Sequence, residues 1–242
     1  MKKEWGWLAA LAVAMTGWSW SAGAQEARPL WTGFYVGGEA GAGFASYVYG
    51  NMTPNYFNTA GIQVRGTGVT QSASNVVGGA LAGYAWQVGP FTVGPEIGVR
   101  SGGFLAQQPD PFFPTTDQVK SDIRWMASAA VKLGWGRDRW QVFAKGGWAG
   151  ALADFGLYDN STTVTAESTT WVNGWTAGVG ADYMILDRLS LGVTWDYADL
   201  TAGSVGLNCP SCGVGVGFNS PVVDTHLRLN AVMARLSWHF AP

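Results

Sequence analysis

Apolar residues alternate with polar or small residues in several segments of this chain. One segment reads SDIRWMASAAVKLGWG, in which every second position is apolar, beginning with Ile123 and ending with Trp135. The positions between them carry three charges, Asp122, Arg124 and Lys132. A period of two is typical of a β-strand whose two faces meet different surroundings. We therefore expect the apolar row to face one medium and the three charges to face the interior of the fold or its outer mouth.

The same alternation predicts eight strands, over residues 34–44, 75–86, 91–100, 122–135, 141–148, 175–183, 189–197 and 232–240. Three connections between them are tight: QVGP, GRDR and ILDR. The other four, near residues 46–73, 101–120, 152–169 and 200–223, are long and rich in Ser, Thr, Asn, Gly and Pro. Short turns that alternate with long loops are typical of an even-numbered barrel with one rim in the periplasm and the other outside the cell.

A secreted β-sandwich or soluble barrel would also alternate, but with its apolar face inside. Six aromatic residues instead fall beside the short turns, as in the girdle at a membrane interface: Trp31, Trp86, Trp135, Trp140, Tyr183 and Trp238. The polar rows are rich in Gly, which suits a narrow interior better than a solvated surface. We predict an all-β fold, an eight-stranded antiparallel up-and-down transmembrane β-barrel.

The N-terminus indicates export. Lys2 and Lys3 precede a short apolar run, and the small residues at 22–24 fit a cleavage site. We predict a cleaved signal peptide over residues 1–24, a periplasmic segment over 25–30 and the barrel over 31–242, located in a Gram-negative outer membrane. The chain after residue 24 is slightly acidic, which argues against a nucleic-acid partner.

Charged residues on the polar rows predict an interior charge network: Glu39, Glu96, Arg100, Lys132, Lys145, Asp182, Asp196 and Arg235. Buried charges persist when they are paired and hydrogen-bonded. The network could therefore be a salt-bridged plug, or it could line a gated path for ions. We favour the plug, because eight strands leave an interior just wide enough for side chains.

Two cysteines and two histidines are the other candidates for chemistry. In an oxidising compartment, Cys209 and Cys212 are expected to form a small disulfide loop. A lipase would need Ser, His and a carboxylate within hydrogen-bond reach, and the nearest pattern is Ser237 with His239 beside the periplasmic rim. His226 and His239 are too dispersed from the cysteines to form a metal site by spacing. We predict no enzyme activity and no cofactor.

The long connections carry aromatic residues, among them Tyr47, Tyr49 and Tyr158. Exposed aromatic residues in mobile loops suit a binding surface. The alternative is that these are ordinary solvated loops, and the sequence does not separate the two.

Five motifs taken in order, WTGFYVGGEAGAG, WMASAAVKLGW, VFAKGGWAGA, GWTAGVGADYMILDRLSLGVTWDYADL and LNAVMARLSWHF, resemble successive strands of a known family. It is the alphaproteobacterial porin-like outer-membrane surface protein family of OmpA-like eight-stranded barrels, which includes surface antigens of Brucella, Bartonella and rhizobia. The resemblance covers residues 31–240. Glu39, Thr194, Met233 and Arg235 depart from the family pattern, which implies a rearranged lining. Phe240, the aromatic residue that such barrels usually end on, is followed by Ala241 and Pro242.

This resemblance does not settle the function, since the family includes surface antigens, adhesion or haem-binding factors and structural barrels. We expect a non-enzymatic role that is structural and surface-interactive, exerted through four long extracellular loops. A narrow channel for small solutes or ions is the alternative. The implied partners are outer-membrane lipids and lipopolysaccharide, the outer-membrane assembly machinery and a host or extracellular ligand at the loops.

Overall fold

The computed structural model describes residues 30–50, 68–110, 114–161, 164–210 and 222–240. These ranges form nine strands: β1 (Gly33–Gly50), β2 (Val69–Val88), β3 (Phe91–Ser101), β4 (Ala106–Pro109), β5 (Asp117–Arg137), β6 (Trp140–Asp159), β7 (Val164–Leu186), β8 (Leu189–Gly206) and β9 (Val222–His239). No helix in these ranges has the length and apolar character needed to cross a membrane. The predicted signal peptide lies outside the described residues and stays a prediction.

The strands close into one ring. Each long strand pairs antiparallel with the long strand that follows it in the chain, and β1 pairs with β9. β3 therefore pairs directly with β5, because the short β4 does not lie between them. The predicted eight-stranded antiparallel barrel is therefore confirmed. The ninth strand, β4, continues the line of β3 after a break and pairs only with β5.

Three two-residue turns lie at one end of the ring, between β2 and β3, β5 and β6, and β7 and β8. The first residues of two of them adopt positive φ, 60° at Gly89 and 54° at Asp138. Positive φ at the first position suits a tight hairpin, and Gly and Asp tolerate it. The tight turns place the ends of these strands at one level, which we call the turn end.

An apolar band surrounds the outer surface next to the turn end. On β6 it extends from Trp140 to Trp148, and its side chains, such as Val142, point away from the ring and are largely exposed. A tilted strand crosses a bilayer in about 9–11 residues, so the band has the height of a membrane.

The strands continue well beyond the band, and there the polarity of the wall reverses. An apolar cluster fills the interior and includes Tyr47, Tyr49 and Phe155, which are only 1–2% exposed. Polar residues such as Ser72 and Thr169 lie on the outside. The prediction of long loops near 46–73, 101–120, 152–169 and 200–223 is thus wrong for much of those ranges.

The expected exposure of Tyr47 and Tyr49 in loops is also wrong. Both lie on strand β1, whose alternation continues above the band with the apolar face turned inward. Burial inside the barrel removes the aromatic side chains of Tyr47 and Tyr49 from water, which favours this arrangement.

A β-bulge in β5 overturns part of the prediction for the segment at 121–136. The pairing with β6 shifts between Ile123 and Trp125, so that Arg124 is an extra residue. Ile123 consequently lies inside and is 1% exposed, whereas Arg124 lies outside, paired with Asp154. Asp122 lines the same outer concavity as Arg124 and Asp154. Of the three charges expected in the interior or at its outer mouth, Lys132 lies in the interior, whereas Asp122 and Arg124 lie on the outer surface of the wall.

Candidate functional site

The interior of the band holds the eight charges expected from the sequence. They come from seven strands: Glu39 on β1, Glu96 and Arg100 on β3, Lys132 on β5, Lys145 on β6, Asp182 on β7, Asp196 on β8 and Arg235 on β9. All project inward because each occupies the row opposite to the apolar outer row.

The charges nearest the apolar cluster are linked through Arg100. Its guanidinium donates to Glu39, with 3.2 Å between Nη2 and Oε2, and also contacts Asp196. The Lys145 ammonium then bridges Asp196 at 3.2 Å and Glu96 at 3.0 Å. These contacts join four strands across the interior.

The charges nearest the turn end are linked through Arg235. Its Nη2 donates to Glu96 Oε2 at 2.7 Å, and its Nε lies 3.5 Å from Asp182 Oδ1. Lys132 is held by Asp182, with 2.8 Å between Nζ and Oδ2. Tyr35 donates its hydroxyl to the same Glu96 oxygen at 2.9 Å. All eight residues therefore form one continuous network.

The network is neutral, with four carboxylates and four cations, and it is almost dry. Arg235 is 2% exposed and Asp182 3%. Ionised groups at this depth lose much hydration, and only close pairing offsets the loss. The Phe143 ring lies 3.9 Å from Lys132 Nζ and 5.2 Å from Arg235 Cζ, which adds cation–π contacts.

Sequence reasoning did not assign a role to Tyr35 or Phe143. Both occupy inward rows of the predicted strands, so the periodicity carried a signal for their position. Their aromatic character gave no sign that they contact charges, because that depends on the closure of the ring.

Glycines in the wall provide the room for these carboxylates. A Cβ added at Gly178 would clash with Asp196 Oδ1, and one at Gly192 would clash with Asp182 Oδ1. The Gly-rich polar rows are thus explained by a packed interior, since side chains of eight strands must share a narrow space.

Trp31 does not lie in the outer girdle, and the prediction is wrong for this residue. It is 1% exposed and packs edge-on against His239, with 5.6 Å between ring centroids. Trp31 precedes β1 and folds under the ring at the turn end, where it also contacts the position of Gly136. Trp31 thus covers the interior at the turn end.

The other predicted girdle residues lie on the outer surface. Trp86, Trp135, Trp140 and Trp238 are each more than 40% exposed. Tyr183 is half-buried because its ring packs on Trp140, with 4.7 Å between centroids. These five positions surround the barrel close to the turn end.

The histidines do not complete a catalytic triad among the described residues. His239 Nε2 lies 3.0 Å from Ser190 Oγ, a partner that sequence spacing did not suggest, while Ser237 Oγ has no hydrogen-bond partner. His239 Nδ1 is also without a partner, so no carboxylate orients the ring as a triad requires. His226 pairs with Asp199 on the far part of the strands.

Metal and redox chemistry find little support in the described ranges. They contain no group of three or more His, Cys, Asp or Glu side chains placed to hold a metal ion. Cys209 is disulfide-bonded. Its predicted partner, Cys212, lies outside the described residues.

A small cavity of about 30 Å³ lies between the charge network and the apolar cluster. Its lining combines charged residues such as Arg100 and Lys145 with apolar ones such as Val77 and Leu229. One water molecule needs roughly 10–15 Å³, so the cavity has room for about two water molecules.

A closed antiparallel ring with a membrane-high apolar band outside and paired charges inside defines a transmembrane β-barrel of the outer-membrane type. The model of the outer membrane protein beta-barrel domain family matches residues 9–240. The chain belongs to this family, and its location is the Gram-negative outer membrane.

Two relatives carry the name 31 kDa outer-membrane immunogenic protein, one from Brucella melitensis and one from Brucella suis. Each is 27% identical to this chain over 174 residues, which cover 70% of this chain and 71% of the relative. The expected alphaproteobacterial surface-protein family is thereby confirmed.

Among solved structures, the outer membrane protein OprG from Pseudomonas aeruginosa matches with a TM-score of 0.51. The match has 12% sequence identity and covers 86% of this chain and 97% of OprG. At this identity the likeness concerns the fold alone, and it agrees with the barrel described above.

Proposed function

We propose that this protein is a non-enzymatic, non-conducting outer-membrane barrel with a structural and surface-interactive role. The observation that supports it is the filled interior. A neutral network of eight paired charges occupies the band, and an apolar cluster occupies the ring above it. Ions would have to separate buried pairs and then cross apolar packing, and both steps are costly.

The surface role is supported by the relatives and by the polar outer end of the ring. The Brucella proteins are named as immunogenic, and we infer that this chain presents its outer end in the same way. The tips of the predicted loops lie largely within 51–67, 111–113, 162–163 and 211–221, outside the described residues. Outer-membrane lipids, lipopolysaccharide, the assembly machinery and an extracellular ligand are the proposed partners.

Planar-bilayer recording of the purified protein tests the closed interior. We expect no steady current steps above those of protein-free bilayers, while a porin inserted by the same procedure conducts. Steady open channels from the folded protein would overturn the proposal and favour the narrow channel, for which the small polar-sided cavity is the best structural support.

A further inference from the structure

The ladder between neighbouring strands is interrupted at two places among the described strands. Residues 164–172 of β7 meet the chain after β8 only through one bridge, Glu167 with Asn208. The other interruption, between β2 and β4, has no backbone bridge. β2 pairs with β3 only as far as Gly78 opposite Ser101. Beyond that point, residues 69–77 of β2 keep their partner β1, but β4 on the other side pairs only with β5. We call this interruption, between 69–77 and 102–109, the seam.

Side chains take the place of backbone pairing across the seam. Gln71 Nε2 donates to the Val119 carbonyl at 2.8 Å, and Ser121 Oγ donates to Gln71 Oε1 at 2.8 Å. Asn75 Nδ2 donates to the Gly103 carbonyl at 2.8 Å. Opening the seam would break these few side-chain bonds and no backbone ladder between β2 and β4, since none joins them.

Phe104 closes the seam from the inside. It is 3% exposed, and its ring packs so closely on Gly43 and Val77 that a Cβ added at Gly43 would meet both side chains. The preceding Gly103 adopts φ of +58°, which turns the chain so that the ring points inward. The Phe104 carbonyl accepts a hydrogen bond from the Tyr47 hydroxyl.

The small cavity lies directly behind this ring. Phe104 and Val77 line it together with Met126 and Leu229, and the Arg100 and Lys145 side chains line its other side. If the Phe104 side chain moved outward, it would leave space for one molecule of its own size. That space would have an apolar wall and a polar end. The charge network closes that space toward the turn end, so it is a site and not a path.

The two outer edges of the seam, which we call its lips, are apolar. Val76 is 74% exposed on one side and Leu105 is 53% exposed on the other. The seam begins where Ser101 pairs with Trp125, at the far edge of the apolar band. A molecule that partitions into the outer edge of the membrane would therefore meet the seam before it met water.

We propose that the seam is a lateral entrance to a binding site for a small neutral amphipathic molecule with a single ring, closed by Phe104. The apolar lips and wall fit the ring of the ligand, and the charged side of the cavity fits its polar group. Neutrality is required because each charge that lines the cavity already has an opposite partner.

Thiol accessibility tests the entrance, with Phe104→Cys compared with Phe155→Cys. Phe155 is a buried ring of the same apolar cluster, but its residue pairs with Ser121 on β5 and Ser168 on β7 within uninterrupted stretches of both ladders. In the full chain in bilayers, we expect a small maleimide to modify Cys at 104 about tenfold faster or more, because local opening governs access. Phenol, as the probe ligand, should slow that reaction and leave the reaction at 155 unchanged.

Equal protection of both thiols would overturn the entrance, and fast labelling that phenol does not slow would overturn the site. A second measurement covers the case in which the cysteine variants fail to fold. Calorimetry on the wild-type protein should detect phenol binding that Val77→Phe abolishes and Val172→Phe retains. Both valines are buried in the cluster, but only Val77 lines the cavity. Absence of phenol binding to the wild type would also contradict the proposal, whatever the bilayer recordings show.

Discussion

Arg235 is a cation that is buried in the interior between two carboxylates. It is bonded to Glu96 and lies 3.5 Å from Asp182, and its side chain is 1% exposed. Removing one partner of a buried ion pair leaves an uncompensated charge, which costs more than the pair itself contributes. The neutrality of the network therefore matters more than the number of its contacts.

Arg235→Met should lower the free energy of unfolding by about 3–5 kcal/mol, because Glu96 and Asp182 then share too few cations. The double variant Arg235→Met with Glu96→Gln restores neutrality and should recover part of that loss. Urea unfolding in lipid vesicles measures both. A double variant less stable than the single one would show that geometry, not charge balance, holds the network.

At the scale of the strands, the bulge in β5 decides which residues face inward. Ile123 and Trp125 pair with the consecutive residues Ala153 and Leu152, and Arg124 is looped out between them. The extra residue lets Ile123 enter the apolar cluster while Trp125 stays on the outer band.

Deletion of Arg124 should consequently leave a regular strand in which both neighbours keep their faces. We expect the variant to fold and insert, with a loss of less than about 1 kcal/mol from the exposed Arg124–Asp154 pair. Deletion of Ala129, in a regular part of β5, should prevent folding because a one-residue slip turns every following side chain to the other face. Heat-modifiable gel mobility distinguishes folded from unfolded barrel, and equal behaviour of the two deletions would contradict the role of the bulge.

Alternation was sufficient to predict the eight strands, the turn end and the inward charges, since a period of two is local to each strand. It could not predict the bulge, because one looped-out arginine resembles any other polar position. Nor could it tell that Tyr47 and Tyr49 lie inside, since the same alternation fits either facing. Which face is buried depends on the medium outside, and that changes along β1 from lipid to water.

At the scale of the whole molecule, the interior is filled in two regions along its axis, by different kinds of side chain. Paired charges fill the ring where lipid surrounds it, and apolar side chains fill it where water does. Each filling suits its surroundings, because a barrel in lipid has no need of an apolar interior, whereas a barrel in water does.

Loss of one pair of charges should therefore not open the barrel. The double variant Glu39→Ala with Arg100→Ala removes a neutral pair and leaves Asp196 bonded to Lys145. We expect its bilayer recordings to match the wild type, because the apolar cluster above the network is untouched. Current steps in this variant alone would assign the closure to the charge network and not to the cluster.

The continuation of the strands above the band also sets a height. On β6, Asp159 at the end of the strand lies eleven residues beyond Trp148 at the edge of the band. At about 3.3 Å per residue and a tilt of roughly 40°, the tip stands about 28 Å beyond that edge. The strands thus carry the tip well above the membrane, and a large protein approaching from that side would touch the tip before it reached the lipid headgroups.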